Sequence, residues 1–247
     1  MSRIAWITGA STGIGRALAL RLARDGWRIA ASARASDALS SLAAGNEAIR
    51  AFPLDVTDSA ATARISAEIQ RELGPIDLAV INAGTDARTP ATDFDPAVAR
   101  RVIEVNLLGA ANTLAAAMPE MIRRRSGHLA IVASVAGYRG LPRAAAYSAS
   151  KAGLIALAEG LKFDLDRHAV KIQVINPGFV RTPLTDRNDF AMPFLMDAEE
   201  AAERIVRGLA GSAFEIAFPR RFAWMLKLLG CLPDRLYFPL VAKVTGA

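Results

Sequence analysis

The chain holds a single cysteine, Cys231, among 247 residues, so a disulfide within it is impossible. It also lacks any unbroken run of about 18 apolar residues, the length that crosses a bilayer. No secretory leader is read at the N-terminus. Met1-Ser2-Arg3 runs straight into the apolar stretch Ile4-Ala5-Trp6-Ile7, and a cytoplasmic location is the default expectation. Long linkers, internal repeats and low-complexity tracts are absent. Acidic residues are in short supply, 24 against 30 lysines and arginines, which leaves a net charge of +6. Such a balance suits nucleic acid, an anionic membrane surface or acidic ligands. No nucleic-acid motif accompanies it, so nucleic acid is not an expected partner. Much of the imbalance lies beyond residue 200. There Arg204, Arg207, Arg220, Arg221, Lys227, Arg235 and Lys243 meet only Glu203, Glu215 and Asp234. For most of these a solvated surface is the simplest account.

Apolar residues, by contrast, make up 52% of the chain, enough for the core of one large α/β domain. Short apolar runs at Ile4–Thr8, Arg28–Ala33, Ala48–Leu54, Asp77–Ile81, His128–Ala133, Lys171–Asn176 and Phe214–Phe218 read as strands. Helical patterns at Ile14–Arg24, Ala60–Leu73, Pro96–Met118, Ser148–His168 and Ala198–Leu209 separate them. Buried parallel strands read as continuous apolar runs, and right-handed crossovers wind them into a doubly wound, Rossmann-type sheet. Gly26 stands where a helix C-cap is expected, Gly74-Pro75 ends a helix, and Asp58 and Asp197 are candidate N-caps. The reading is one domain over residues 1–218 followed by a helical tail over 219–247.

Two features carry chemistry. Thr8-Gly9-Ala10-Ser11-Thr12-Gly13-Ile14-Gly15 follows the first strand and opens a helix. Its glycines allow a tight turn and close approach of a pyrophosphate to the helix N-terminus, although the spacing is not the usual G-x-G-x-x-G. The second strand ends in Ala33-Arg34, where many dinucleotide sites place an acid for the ribose 2′-hydroxyl. An arginine there suits a 2′-phosphate, so NADP(H) is the expected cofactor. The second feature is Tyr147-x-x-x-Lys151, on one helix face, with Ser134 upstream. A neighbouring ammonium favours the phenolate, which brings the tyrosine from its ordinary value of about 10 towards the useful range. Such a group exchanges a proton with a carbonyl or alcohol oxygen. No metal ligand set enters this reading.

These features, with Asp55, Asn82-Ala83-Gly84, Asn106 and Pro177-Gly178-x-Val180-x-Thr182, resemble the short-chain dehydrogenase/reductase family over about residues 3 to 218. The resemblance implies roles. The turn Gly9, Ser11, Thr12, Gly13, Ile14 and Gly15 would bind the cofactor. Ser134 would hydrogen-bond the substrate oxygen, and Tyr147 would be general acid in reduction and general base in oxidation. Lys151 would lower the tyrosine pKa and hold the nicotinamide ribose. Asn106 would hold a water linking Lys151 to solvent. Asp55 and Val56 would contact the adenine. Asn82, Ala83 and Gly84 would line the adenosine side and support the sheet, and Val180 and Thr182 would fix the carboxamide beside Pro177 and Gly178. Ile81 departs from the pattern, since many relatives carry a second asparagine there. The resemblance also implies a homodimer or homotetramer through the long helices 96–118 and 148–168.

Substrate loops are expected at 85–95, 136–146 and 183–196. The last, with Leu184, Phe190, Met192, Pro193, Phe194, Leu195 and Met196, reads as an apolar lid and favours a hydrophobic carbonyl or alcohol substrate. In the tail, Phe222, Met225, Leu226 and Leu229 share a helix face beside Arg220, Arg221 and Lys227; Pro233 stops that helix and Pro239 interrupts the next apolar run. Three roles fit the tail: a peripheral membrane contact, a pocket cover or a subunit contact. Three functions fit the whole: an NADPH-dependent carbonyl reductase, a 3-oxoacyl-carrier-protein reductase, or a nucleotide-sensing scaffold that lost its chemistry.

Overall fold

Side chains alternate across a strand, so a sheet covered on both faces needs apolar residues at every position. The first strand meets that demand, with all five of its residues buried. In the computed structural model, which describes residues 2–187 and 192–246, Ala5 and Ile7 face one helix layer and Ile4 and Trp6 face the other. The strands are β1 (Ile4–Thr8), β2 (Arg28–Ala33), β3 (Ile49–Pro53), β4 (Leu78–Ile81), β5 (His128–Val132), β6 (Lys171–Pro177) and β7 (Glu215–Phe218). All pair in parallel, in the order β3-β2-β1-β4-β5-β6-β7. The order reverses between β1 and β4, where Ile7 pairs with Ala31 on one side and Val80 on the other. Ligands of doubly wound sheets bind at such a switch point, outside the carboxyl ends of the strands.

The helices are α1 (Gly13–Arg24), α2 (Asp37–Ala44), α3 (Ser59–Glu72), α4 (Pro96–Ile103), α5 (Gly109–Arg124), α6 (Ala145–Arg167), α7 (Ala198–Ala210), α8 (Arg220–Gly230) and α9 (Asp234–Thr245). Leu18 and Leu22 of α1 and Ile205 of α7 fill one core with Ala5 and Ile7. Ile69 of α3, Leu114 and Met121 of α5 and Leu154 of α6 fill the other around Trp6. The stretch 96–124 is long and apolar enough to span a bilayer by length and composition, yet Ala110, Leu114, Ala117 and Met121 bury it against the sheet.

Strand and helix ends differ from the sequence reading by a residue or so, with larger exceptions. Helix α2 has no counterpart in that reading. It starts at Ser36, whose hydroxyl accepts the Leu39 N–H at 3.3 Å, and only Leu39 and Leu42 of it are buried, too short a stripe to show as a period. The expected helix 96–118 is three pieces: α4, a π-helical turn Glu104–Leu108, and α5, which runs past Pro119 to Arg124. The helix expected from Ser148 starts at Ala145. Gly26 takes φ +81°, and the Trp27 N–H reaches back to the Leu22 carbonyl, which closes α1 and turns the chain into β2. Asp58 caps α3 through the Ala61 N–H at 2.8 Å. Asp197 makes no such cap; its carboxylate accepts from Arg181 instead. Pro239 does not interrupt the tail but sits inside α9. It removes one donor to the Arg235 carbonyl, and both residues lie on the exposed side of the helix.

Candidate active site

A cleft of about 820 Å³ lies at the switch point. Most of the residues singled out from the sequence line it: Gly9, Ser11, Thr12, Gly13 and Ile14; Arg34, Asp55 and Val56; Asn82, Ala83 and Gly84; Ser134, Tyr147 and Lys151; and Pro177, Gly178, Val180 and Thr182. Two do not. Gly15 is buried behind the turn, where a Cβ would overlap the Gly9 carbonyl, so it lets α1 pack on the loop. Asn106 is fully buried.

The glycine-rich turn is held from below. Gly9 takes φ +67°, and a Cβ on it would stand 2.8 Å from Ala83 Cα. The Asn82 amide donates to the carbonyls of Thr8 at 3.0 Å and Gly9 at 3.2 Å, and the Thr8 hydroxyl accepts the N–H groups of Asn82 and Ala83. Asn82 therefore fastens the turn, while Ile81 beside it is core. Thr12 precedes α1 with no side-chain cap, which leaves first-turn N–H groups for an anion.

At one end of the cleft stand Arg34 and Arg101, both exposed, each in electrostatic reach of Asp55. The Asp55 carboxyl lies below its ordinary value because the Thr57 N–H and hydroxyl both donate to it, at 3.0 and 2.7 Å. Arg101 has no local signature in the sequence; only the fold brings it here from α4.

At the other end Tyr147 and Lys151 project from α6 towards Ser134, just beyond β5. Lys151 is 5% exposed, and its ammonium donates to the Val132 carbonyl at 3.0 Å. Burial pulls this lysine down to about 8, against a smaller opposing pull from Asp86. Burial pushes the Tyr147 phenol up to about 12; Asp86 adds to that, and a hydrogen bond with Ser134 works against it. The expectation that Lys151 draws the phenol down is thus not met in this state. The ammonium sits 5.6 Å from the Tyr147 ring centroid, turned to a backbone carbonyl, and desolvation dominates both groups. Asn106 Nδ2 donates to the Thr85 carbonyl and the Ser150 hydroxyl, each at 2.9 Å, and its Oδ1 accepts the Thr85 N–H at 2.7 Å. Its side chain braces the loop after β4 against α6, and the π-helical turn places it inside the protein, where its Oδ1 and the Lys151 ammonium both stand within 4 Å of where a Cβ on Gly84 would be.

Residues 3–191 match the family model described as short chain dehydrogenase. The chain belongs to the short-chain dehydrogenase family. It is 41% identical over 239 residues to an oxidoreductase of Myxococcus xanthus (strain DK1622) of uncharacterised activity, with 95% of this chain and 94% of that protein covered. Among solved structures, a short-chain dehydrogenase from Streptomyces avermitilis is 25% identical with a TM-score of 0.86, covering 100% of this chain and 98% of that one. A short chain dehydrogenase from Burkholderia cenocepacia J2315 in complex with NADP is 28% identical with a TM-score of 0.84, covering 98% and 97%.

In this short-chain dehydrogenase the tail packs beside Ser134. Phe222 of α8 meets Phe179 and Phe194 at ring-centroid distances of 6.0 and 5.8 Å and packs with Val135, the residue after Ser134. Of the expected lid, Leu184 lines the cleft, Phe194 is exposed against Phe222, and Met196 is buried in the core, its backbone paired with Phe179 and Arg181. Phe190 lies outside the described residues. The expected tail stripe divides: Phe222 is buried, whereas Met225 faces solvent. Beneath α8, the Glu215 carboxylate accepts from the Tyr138 hydroxyl at 2.5 Å, from Asn176 Nδ2 at 2.7 Å and from Lys227. Burial works to raise this carboxyl, but the three donors hold it below its ordinary value. The sequence reading missed the Tyr138–Glu215 pair and also Asp86, the acid nearest in effect to both Tyr147 and Lys151. Asp86 follows Gly84 by two residues, and that adjacency was its only signal.

Proposed function

We propose that this oxidoreductase uses NADP(H) to interconvert a carbonyl compound and a secondary alcohol, with a hydrophobic substrate. The observation that carries the reading is one continuous cleft with Arg34 and Arg101 at one end and Ser134, Tyr147 and Lys151 at the other. The uncapped start of α1 and the close-packed glycine turn fit a pyrophosphate between those ends. A dihydronicotinamide dinucleotide held by these residues would supply the hydride. The chain's own groups do the rest. Arg34 and Arg101 pair with a 2′-phosphate, Lys151 holds ribose hydroxyls, Ser134 donates a hydrogen bond to the substrate oxygen, and Tyr147 gives that oxygen its proton. Burial keeps the Tyr147 phenol in the protonated form that a proton donor needs, and a cation or donor brought in beside it would have to lower its pKa for fast transfer. Val135, Phe179 and Phe222 gather beside Ser134 and support an apolar substrate. The test is turnover of a panel of ketones and 3-oxoacyl thioesters, from short and soluble to long-chain, with NADPH and with NADH. Faster turnover of long-chain carbonyls with NADPH is expected. Equal rates with NADH, or activity confined to short polar substrates, overturns the proposal.

A further inference from the structure

We infer that the outer faces of α8 and α9 form a docking surface for an anionic lipid bilayer. The tail helices are clamped to the protein by their inner faces. Phe222 and Ala223 of α8 and Tyr237 and Val241 of α9 are buried. Arg139 lies 3.8 Å from the centre of the Tyr237 ring and donates to the carbonyls of Gly230 and Leu232 and to the Asp234 carboxylate. The Tyr237 hydroxyl donates to the Gly140 carbonyl at 2.8 Å. The outer faces are apolar and uncovered. On α8, Trp224, Met225 and Leu228 are exposed at i, i+1 and i+4; on α9, Leu236, Leu240 and Val244 are exposed at i, i+4 and i+8. The exposure reaches 66% at Leu228 and 77% at Val244, and apolar side chains grouped in this way mark an interaction surface.

Charge selects the partner. Residues 219–247 carry five basic side chains, Arg220, Arg221, Lys227, Arg235 and Lys243, against one acid, Asp234. Asp234 is already neutralised by Arg139, and Lys227 by Glu215, so Arg220, Arg221, Arg235 and Lys243 remain as exposed cations around the apolar face. A two-fold contact between copies through this face would set the same cations against each other. Anionic headgroups instead pair with them while the apolar side chains enter the acyl boundary, and Trp224 suits the interface between the two. The surface backs directly onto the apolar cluster beside Ser134.

The test is sedimentation of the full chain with vesicles of phosphatidylcholine alone or of phosphatidylcholine with phosphatidylglycerol, at low and high salt. It needs no turnover, so its result and that of the reductase assay are independent. Partition onto the anionic vesicles at low salt is expected to exceed that onto phosphatidylcholine by about tenfold or more, and high salt should reduce it. Trp224→Ser with Leu228→Ser should lower partition by about tenfold, and Arg220→Ser with Arg221→Ser should abolish the preference for anionic lipid, with melting temperature unchanged in both. A chain that stays in the supernatant with anionic vesicles at low salt overturns the inference. So does an equal loss from removing the distant exposed cations Arg64 and Arg71, which would reveal general attraction rather than a docking face. A Trp224→Ser, Leu228→Ser variant with unchanged partition and a lower solution mass assigns the face to a second copy and also overturns it.

Discussion

Replacing Lys151 by methionine should stabilise the protein at neutral pH while removing its activity. The ammonium is buried, and its fall from 10.5 to about 8 records what burial costs the charged form. At 1.36 kcal/mol per pKa unit, that is about 3 kcal/mol at pH 7. Methionine fills nearly the same space without a charge. It leaves the Val132 carbonyl without the donor that now stands 3.0 Å away, a loss of about 1–3 kcal/mol. The net gain is about 0–2 kcal/mol, or up to about 8 °C in melting temperature for a chain of this size. The sign reverses with pH. Between pH 8 and 10.5 the unfolded chain keeps the lysine proton and the folded chain has lost it, so wild-type stability rises with pH across that window. The rise is about 2 kcal/mol between pH 7 and about pH 9.5, and the variant should not share it. Thermal melts of both proteins over that range are the assay. A variant that is less stable than wild type at pH 7, or a gap that does not narrow at alkaline pH, refutes the reasoning and shows that the ammonium is well compensated where it lies.

Three further outcomes are expected. Tyr147→Phe should lower carbonyl reduction by about 10²- to 10⁴-fold with NADPH affinity nearly unchanged, measured by steady-state rates and by fluorescence titration; near-wild-type turnover would remove Tyr147 from the proton transfer. Arg34→Ala should weaken NADPH binding by about 10- to 150-fold, the equivalent of one charge-assisted hydrogen bond of about 1.5–3 kcal/mol, and leave NADH binding in place. Arg101→Ala should act in the same direction, and equal losses for both cofactors would show that neither arginine reads the 2′-phosphate. His128 is held near 4 by burial, with Lys171 adding to the effect, so acid should destabilise the fold as pH drops from 6.5 to 4, where the unfolded chain takes up a proton that the folded chain refuses. The loss approaches about 3 kcal/mol by denaturant titration, and His128→Gln should show much less of it.

What could be read along the chain was whatever lies within a few residues of itself. Alternation and apolar runs located seven strands within a residue or so, because a strand buried on both faces has to be apolar throughout. The glycine turn and the pair Tyr147-x-x-x-Lys151 are local as well, one a requirement of backbone geometry and the other of helical spacing. Local signals also misled. Pro239 reads as a break in the tail's second apolar run, yet it sits inside α9 on an exposed face. The weak two-residue stripe of α2 went unseen, and a π-helical turn breaks a helix whose apolar period is smooth.

The tertiary structure decided everything that depends on burial or on partners distant in sequence. Asp86 faces Tyr147 and Lys151 across some sixty residues of chain, and desolvation around that group sets a phenol that stays protonated and a lysine that holds its proton weakly. Asn106 braces Thr85 and Ser150, partners that it meets where the turn buries it. Glu215 gathers Tyr138, Asn176 and Lys227 from a loop, a strand and the tail, and so ties the outer helices to the strand that leads into Pro177. The residue types were legible from the start. Their protonation and their partners were not, since both follow from the dielectric and the neighbours that only the folded chain supplies.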